Sequence, residues 1–267
     1  MKSFLAVWRE IIANRVRIVR LARYEQRAKN SGTILGRLWD FLTPVLQICV
    51  YWFVFSVGLR ITTMEGNIPY AVWMMTGLIP WFCISGAMQS SASAISASSS
   101  IIRNLNIPMS IIPVKDVISH LMEHLWTLAF LIFVLFVSGI QPSWYMLQIV
   151  YYFFCMVVFL IAFALFASSI GIVIKDFGRF LSPIIRLMFY LSSAIMSLDG
   201  LSPNMRVLLK INPITYIIMG YRNALLYNVG IWDTLRHGTC FWVITLALLF
   251  IGCSLHMRTR ERFVDLL

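Results

Sequence analysis

The run Leu35-Gly36-Arg37-Leu38-Trp39-Asp40-Phe41-Leu42-Thr43-Pro44, continued without a charge from Val45 to Leu59, decides how the rest of the chain is read. At ~1.5 Å per helical residue, the uncharged apolar stretch from Phe41 onward is roughly long enough to cross the ~30 Å hydrocarbon core of a bilayer. It is therefore expected to be a membrane-spanning helix. Ahead of it stand Arg15, Arg17, Arg20, Arg23, Arg27, Lys29 and Arg37. Basic residues collect on the cytoplasmic side of a span, so the chain enters the membrane from the cytoplasm, and that sets the direction of every later helix.

Composition agrees with a polytopic membrane protein. The 267 residues are 60% hydrophobic and 12% charged, with a mean hydropathy of +0.81, which leaves no room for a large soluble domain. A net charge of +11 would suit a nucleic-acid binder if the charges formed one surface. They do not: 16 of the 22 Lys and Arg fall in four short segments that this topology places in the cytoplasm. All five cysteines, Cys49, Cys83, Cys155, Cys240 and Cys253, lie in apolar runs without metal-type spacing and read as small core residues. No short apolar segment with a small-residue cleavage site follows the basic start, so the first span is expected to remain in the mature protein.

Residues 1–34 interleave Phe4, Leu5, Trp8, Ile11 and Ile12 with arginines, the pattern of an amphipathic helix lying in the cytoplasmic membrane interface. Residues 35–267 form the transmembrane domain, with spans expected at about 38–59, 68–98, 117–138, 144–172, 180–198 and 239–256. The fold class is thus an all-α polytopic membrane protein of six transmembrane helices with both termini cytoplasmic. The inner half of the second span, Ser85 to Ser100, is built from Ser, Ala and Gly and should pack closely against another helix or subunit. Ile101 to Lys115 is a polar break in which Pro108 and Pro113 bracket a short amphipathic helix. Between the fifth and sixth spans, Ser202-Pro203 and Asn212-Pro213 each pair an N-cap residue with a proline at the first helical position, so two short helices are expected on or dipping into the outer leaflet.

Enzymatic signals are weak. No G-x-x-x-x-G-K-S/T loop is present, so this chain does not cradle ATP phosphates in the usual way and energy must come from a partner or a gradient. His120-Leu121-Met122-Glu123-His124 fits the H-x-x-E-H pattern of an inverted zinc protease, but it lies just inside a span without an evident third acidic ligand. The plainer account places His120, Glu123 and His124 on one helix face toward the bundle. Neither catalytic residues nor a metal site are expected.

The chain resembles the ABC-2 type permeases, the membrane subunits of ATP-driven exporters of cell-surface polysaccharides, most closely the teichoic acid group, with O-antigen and capsule export permeases next. The resemblance is carried by Leu35-Gly36 to Trp39 and Pro44 ahead of Tyr51-Trp52-Phe53-Val54-Phe55, and by Gly77-Leu78-Ile79-Pro80-Trp81-Phe82. It continues through Ile102-Arg103-Asn104-Leu105-Asn106-Ile107-Pro108, Lys175-Asp176, Asn212-Pro213-Ile214-Thr215-Tyr216 and Tyr221-Arg222. Unlike many polysaccharide-export relatives, Arg23-Tyr24 is separated from Leu35-Gly36 by a long polar stretch. What the resemblance implies is a permease of the bacterial cytoplasmic membrane, a homodimer, working with two copies of a separate cytoplasmic ATPase that binds the ATP and Mg. The implied cargo is a lipid-linked glycopolymer; a small drug or lipid is the alternative. A six-span protomer is also too small to enclose a sugar chain alone, which independently favours a path between two subunits.

Four residue groups follow as expectations. Ile102, Arg103, Leu105, Ile107 and Pro108 would dock against the ATPase, or form an ordinary solvated loop. Tyr51, Trp52, Phe55, Trp73, Trp81, Phe189 and Tyr190 would line the route, or belong to an interfacial aromatic belt. Pro203, Asn212, Pro213, Tyr216, Tyr221 and Arg222 would form an outer gate, with Arg222 suited to phosphate, or a structural cap. Glu123 and Arg186, each on the order of 10 Å inside the core, would form a buried pair, with snorkelling of Arg186 or an anion-attracting role in the route as alternatives.

Overall fold

The computed structural model describes residues 2–29, 31–36, 38–58, 63–64, 68–99, 107–198 and 202–266. The N-terminal lead-in forms two helices, α1 (Lys2–Ala13) and α2 (Arg15–Lys29), that meet at Asn14. The junction is nearly continuous, because Asn14 N donates to Glu10 O at 3.1 Å and Ile18 N to Asn14 O at 3.0 Å. Next, α3 (Leu38–Trp52) runs into a π-helical turn (Phe53–Gly58). Thr63–Met64 and Ile68–Pro69 then form a minimal antiparallel ladder, β1 and β2, the sole strand pairing among the described residues.

The centre is α4 (Tyr70–Ser91), the span with most of its apolar window covered by protein: 72% of that window is buried, against 6% for Leu38–Gly58. A short α5 (Ala94–Ala97) follows, then α6 (Ile111–Val137). This third span begins well before the expected 117, because Pro113 falls in its first turn, where a missing N–H costs nothing. After a 3₁₀ turn (Trp144–Gln148) comes α7 (Ile149–Val173), and Phe177–Leu191 forms α8. The small-residue packing expected near Ala92 is made within the chain: a methyl on Gly171 of α7 would collide with the Ala92 carbonyl.

Among the described residues, five helices are long and apolar enough to cross a membrane: Leu38–Gly58, Tyr70–Ser91, Ile111–Val137, Trp144–Val173 and Ile231–Arg260. The expected fifth span is where structure and sequence part. The apolar run 180–198 reads as one element, yet α8 stops at Leu191, giving a helix of only ~22 Å. Ser192 and Ser193 interrupt it, and Ser193 takes a left-handed backbone with φ 61° that a helix does not tolerate.

Both proline-started helices form. Pro203 opens α9 (Pro203–Ile211) and Pro213 opens α10 (Pro213–Arg222), where Asn212 Oδ1 caps Ile214 N at 3.0 Å. A second π turn (Asn223–Tyr227) ends at Asn228 in the left-handed region, and a 3₁₀ turn (Ile231–Thr234) leads into α11 (Leu235–Leu266), which packs along α7. Far from lying on the surface, α10 is buried along almost its whole length against α4, α7 and α11.

Candidate functional site

The site is organised by the break at the end of α8. Arg222, at the last turn of α10, is 1% exposed and reaches across to the interrupted chain. Its Nη1 donates to Ser193 O at 2.6 Å and to Ser193 Oγ at 3.0 Å, and Nη2 donates to Ala194 O at 2.9 Å. The guanidinium lies 3.5 Å from the centre of the Trp73 ring, a cation–π contact. Only Nε lacks a hydrogen-bond partner. Backbone carbonyls released by the helix break are thus satisfied by one planar donor fork, a task a lysine could not copy. Gly77 on α4 makes the approach possible, since a Cβ there would strike Ala194 O and Arg222 Nη2. Tyr70 Oη donates to Ile195 O at 3.1 Å and Trp73 Nε1 to Tyr227 Oη at 2.8 Å, so α4 fixes the chain just after the break and the π turn that follows Arg222.

Beside this lies an aromatic seam between α3, α4 and α8. Phe189 is its hub, with ring centroids 5.5 Å from Tyr51, 5.3 Å from Trp81 and 5.3 Å from Tyr190. Phe55 joins a second group through Tyr70 at 6.0 Å, and Tyr70 stacks on Trp73 at 5.8 Å. Six of the seven residues expected to line a route therefore fall into two neighbouring clusters; Trp52 stands apart, exposed on α3. Trp73, Trp81 and Phe189 are buried, while Tyr190 is exposed and opens the seam outward on α8.

The residues expected at the gate divide differently. Pro203, Asn212 and Pro213 start their helices as described. Tyr216, Tyr221 and Arg222 are all buried within the bundle, and Arg222 spends its donors on the chain itself, so it does not stand at an outer mouth for phosphate. Tyr216 Oη meets Tyr151 Oη at 3.3 Å, Trp242 Nε1 donates to Tyr151 Oη at 3.0 Å, and Tyr221 Oη pairs with His124 Nε2 at 2.9 Å.

On the opposite side the N-terminal helices are clamped down by charges. Arg260 Nη1 pairs with Glu10 Oε1 at 2.6 Å, Ser110 Oγ donates to Glu10 Oε2 at 2.8 Å, and Gln26 Nε2 donates to Ser119 O at 2.8 Å. Lys115, nearly buried, is held by Glu25 at 2.8 Å and by its neighbour Asp116. The expected Glu123–Arg186 pair is not formed. Glu123 Oε1 instead takes Lys29 Nζ at 2.9 Å, and Arg186 lies exposed on α8. Depth alone could not tell that α2 folds back over α6 and delivers the nearer cation. The two imidazoles of the protease-like pattern also go to different partners, His120 Nε2 to Ser90 Oγ at 3.2 Å and His124 to Tyr221. Of the coupling residues, Ile107 and Pro108 are half-buried, and Ile102, Arg103 and Leu105 lie outside the described residues.

The roles of Gly77, Ser193, Lys29 and Glu10 were not legible in the sequence. Ser192-Ser193 inside an apolar run was a visible sign of a break; the partners of Lys29 and Glu10 are 94 and 250 residues away and left none.

Residues 17–226 match the family model described as "ABC-2 type transporter". The chain is 24% identical over 252 residues to an O-antigen export system permease protein of Klebsiella pneumoniae, covering 94% of each chain. It is 24% identical over 260 residues to an O-antigen export system permease protein of Myxococcus xanthus, 96% of this chain and 97% of that one. A polysialic acid transport protein of Escherichia coli is 23% identical over 243 residues, 89% of this chain and 90% of that one.

Proposed function

The chain belongs to the ABC-2 type transporter family, and from that premise we propose that it is the permease subunit of an exporter that moves a lipid-linked cell-surface polysaccharide across the cytoplasmic membrane. The observation that carries the proposal is the aromatic seam of Tyr51, Trp81, Phe189 and Tyr190, set beside the least covered span of the protein. Sugar rings pack their C–H faces on aromatic faces without demanding one sugar sequence, a tolerance that a polymer route needs. End-to-end similarity to O-antigen permeases favours an O-antigen type of cargo over a teichoic acid.

A partner subunit of the same kind supplies the other wall. Along α3 the residues Leu46, Val50, Phe53 and Val57 are exposed, and on α8 Phe180, Leu187 and Tyr190 are exposed as well. An apolar face on both helices flanking the seam fits a homodimer with the route between protomers. ATP and Mg belong to a separate cytoplasmic ATPase, in two copies, docked near Ile102, Arg103, Leu105, Ile107 and Pro108.

An even number of crossings is supported by Glu10–Arg260, which ties the first helix to the far end of the last. Five full spans alone would leave these ends on opposite sides. Short α8, the break at Ser193 and buried α10 then together make the sixth crossing, with irregular backbone sheltered inside protein as membrane depth requires.

The test is deletion of the gene in its own host, complemented by wild type or by a variant carrying Tyr51→Ala, Trp81→Ala and Phe189→Ala. Loss of surface polysaccharide with lipid-linked polymer accumulating inside is the expected result, restored by wild type and not by the triple variant. Unchanged surface polymer in the deletion strain would rule the proposal out.

A further inference from the structure

A polar cavity of about 270 Å³ lies away from the aromatic seam. It sits between the end of α9, the buried α10, the start of α7 and the turn into α11, and it is lined by Tyr152, Lys210, Thr215, Asn223, Asp233 and His237 among others. Two of these groups have no counterpart. The Tyr152 side chain is fully buried and its hydroxyl makes no direct hydrogen bond, with the Thr234 and Tyr216 hydroxyls beside it but not in bonding geometry. Its ring is pinned against α10 at Gly220, where a Cβ would overlap it, so the hydroxyl is not free to swing elsewhere. Leaving such an O–H unpaired costs about 1–3 kcal/mol, which an acceptor placed in the cavity would recover. Lys210 is half-buried and makes neither an ion pair nor a hydrogen bond with any described residue. An ammonium offers three donors and no acceptor, so its complement is an anionic oxygen.

Charge in the surroundings points the same way. Lys210 and Arg236 both bear on His237, while the one carboxylate of the lining, Asp233, is exposed and its Oδ2 accepts the Gly230 amide at 3.0 Å. The volume falls just below the ~300–1,000 Å³ usual for ligand cavities, so it suits a head group and not a chain. Arg222 does not line this cavity, and both of its terminal nitrogens are engaged by Ser193 and Ala194.

We propose that this cavity binds a phosphate ester, with Lys210 and the Tyr152 hydroxyl donating to its oxygens. Two sources carry that chemistry: an anionic phospholipid head group, or the sugar phosphate of a lipid-linked cargo. The assignment rests on the export reading only for the second source.

Binding is read without ATP and without transport, so its failure leaves the export reading standing, and a failed export assay leaves this site standing. Purified protein in detergent is titrated with dioctanoylphosphatidylglycerol and, separately, with N-acetylglucosamine 1-phosphate, using dioctanoylphosphatidylcholine as the zwitterionic control. At least one phosphate probe should raise the unfolding temperature and bind saturably. Lys210→Met and Tyr152→Phe should each weaken it by about tenfold or more, the loss expected for a hydrogen bond to a charged group. Lys210→Arg should retain binding, and so should Lys175→Met, at an exposed turn beyond α7. The probe that binds identifies the source. Absence of binding by both, or binding unchanged in Lys210→Met or Tyr152→Phe, overturns the assignment.

Discussion

At the scale of single residues, Gly77 is a tight constraint in the bundle, because the Ala194 carbonyl and the Arg222 fork occupy the space a side chain would need. Gly77→Ala should therefore cost about 1–3 kcal/mol, as overpacking of a close-packed core does. The measurement is the unfolding midpoint in detergent, and an unchanged midpoint would mean that the α8 break can retreat from α4. A second residue-scale prediction concerns Glu123. Lys29→Ala strands this carboxylate, and because Lys29 is half exposed the loss should be about 1 kcal/mol or less. Glu123→Gln in the Lys29→Ala background should restore folded yield, whereas Arg186→Ala should stay within about 0.5 kcal/mol of wild type; a larger effect at Arg186 than at Lys29 would contradict the observed pairing. The identity of the partner of Glu123 depends on how α2 folds over α6, a long-range fact with no local signature.

At the scale of elements, local chemistry was the legible part. Ser202-Pro203 and Asn212-Pro213 announced α9 and α10 because a cap and a fixed φ act within a few residues. Hydropathy likewise located the long spans, since each must match the same bilayer thickness. What it could not give was the end of α8. Residues 180–198 are as apolar as a span; Ser192-Ser193 signals a break locally, but it is the capture of Ser193 and Ala194 by an arginine some 30 positions later that holds the chain there. Burial of α10 was equally hidden, since its Leu-, Ile- and Tyr-type surface suits a lipid interface and a protein core alike. Between α5 and α6, the segment expected to meet the ATPase ends at Ile107, which packs on the core, and Pro108. Leu105→Asp should leave insertion and folded yield intact while ATP hydrolysis by the reconstituted complex proceeds without export; normal export by that variant would remove the coupling role.

For the whole molecule, the uneven covering of its spans is the feature with most reach. Cys49 stands exposed on α3, whereas Cys83, Cys155 and Cys253 are buried. If the α3 faces of two copies meet, oxidation in native membranes should yield a disulfide-linked dimer that Cys49→Ser abolishes; a dimer persisting in that variant would place the seam elsewhere. The clamp at the other end of the molecule bears on the order of assembly during synthesis. Glu10 leaves the ribosome almost at once, its partner Ser110 follows 100 residues later, and Arg260 comes 250 residues later. At ~5–20 residues per second the interval between those two partners is on the order of 10 s. Over that time Glu10 has Ser110 but not Arg260, and α1 lacks its packing on α11, so this end of the molecule is the last to close, and a chain arrested before α11 would leave α1 more open to a protease than the finished protein does.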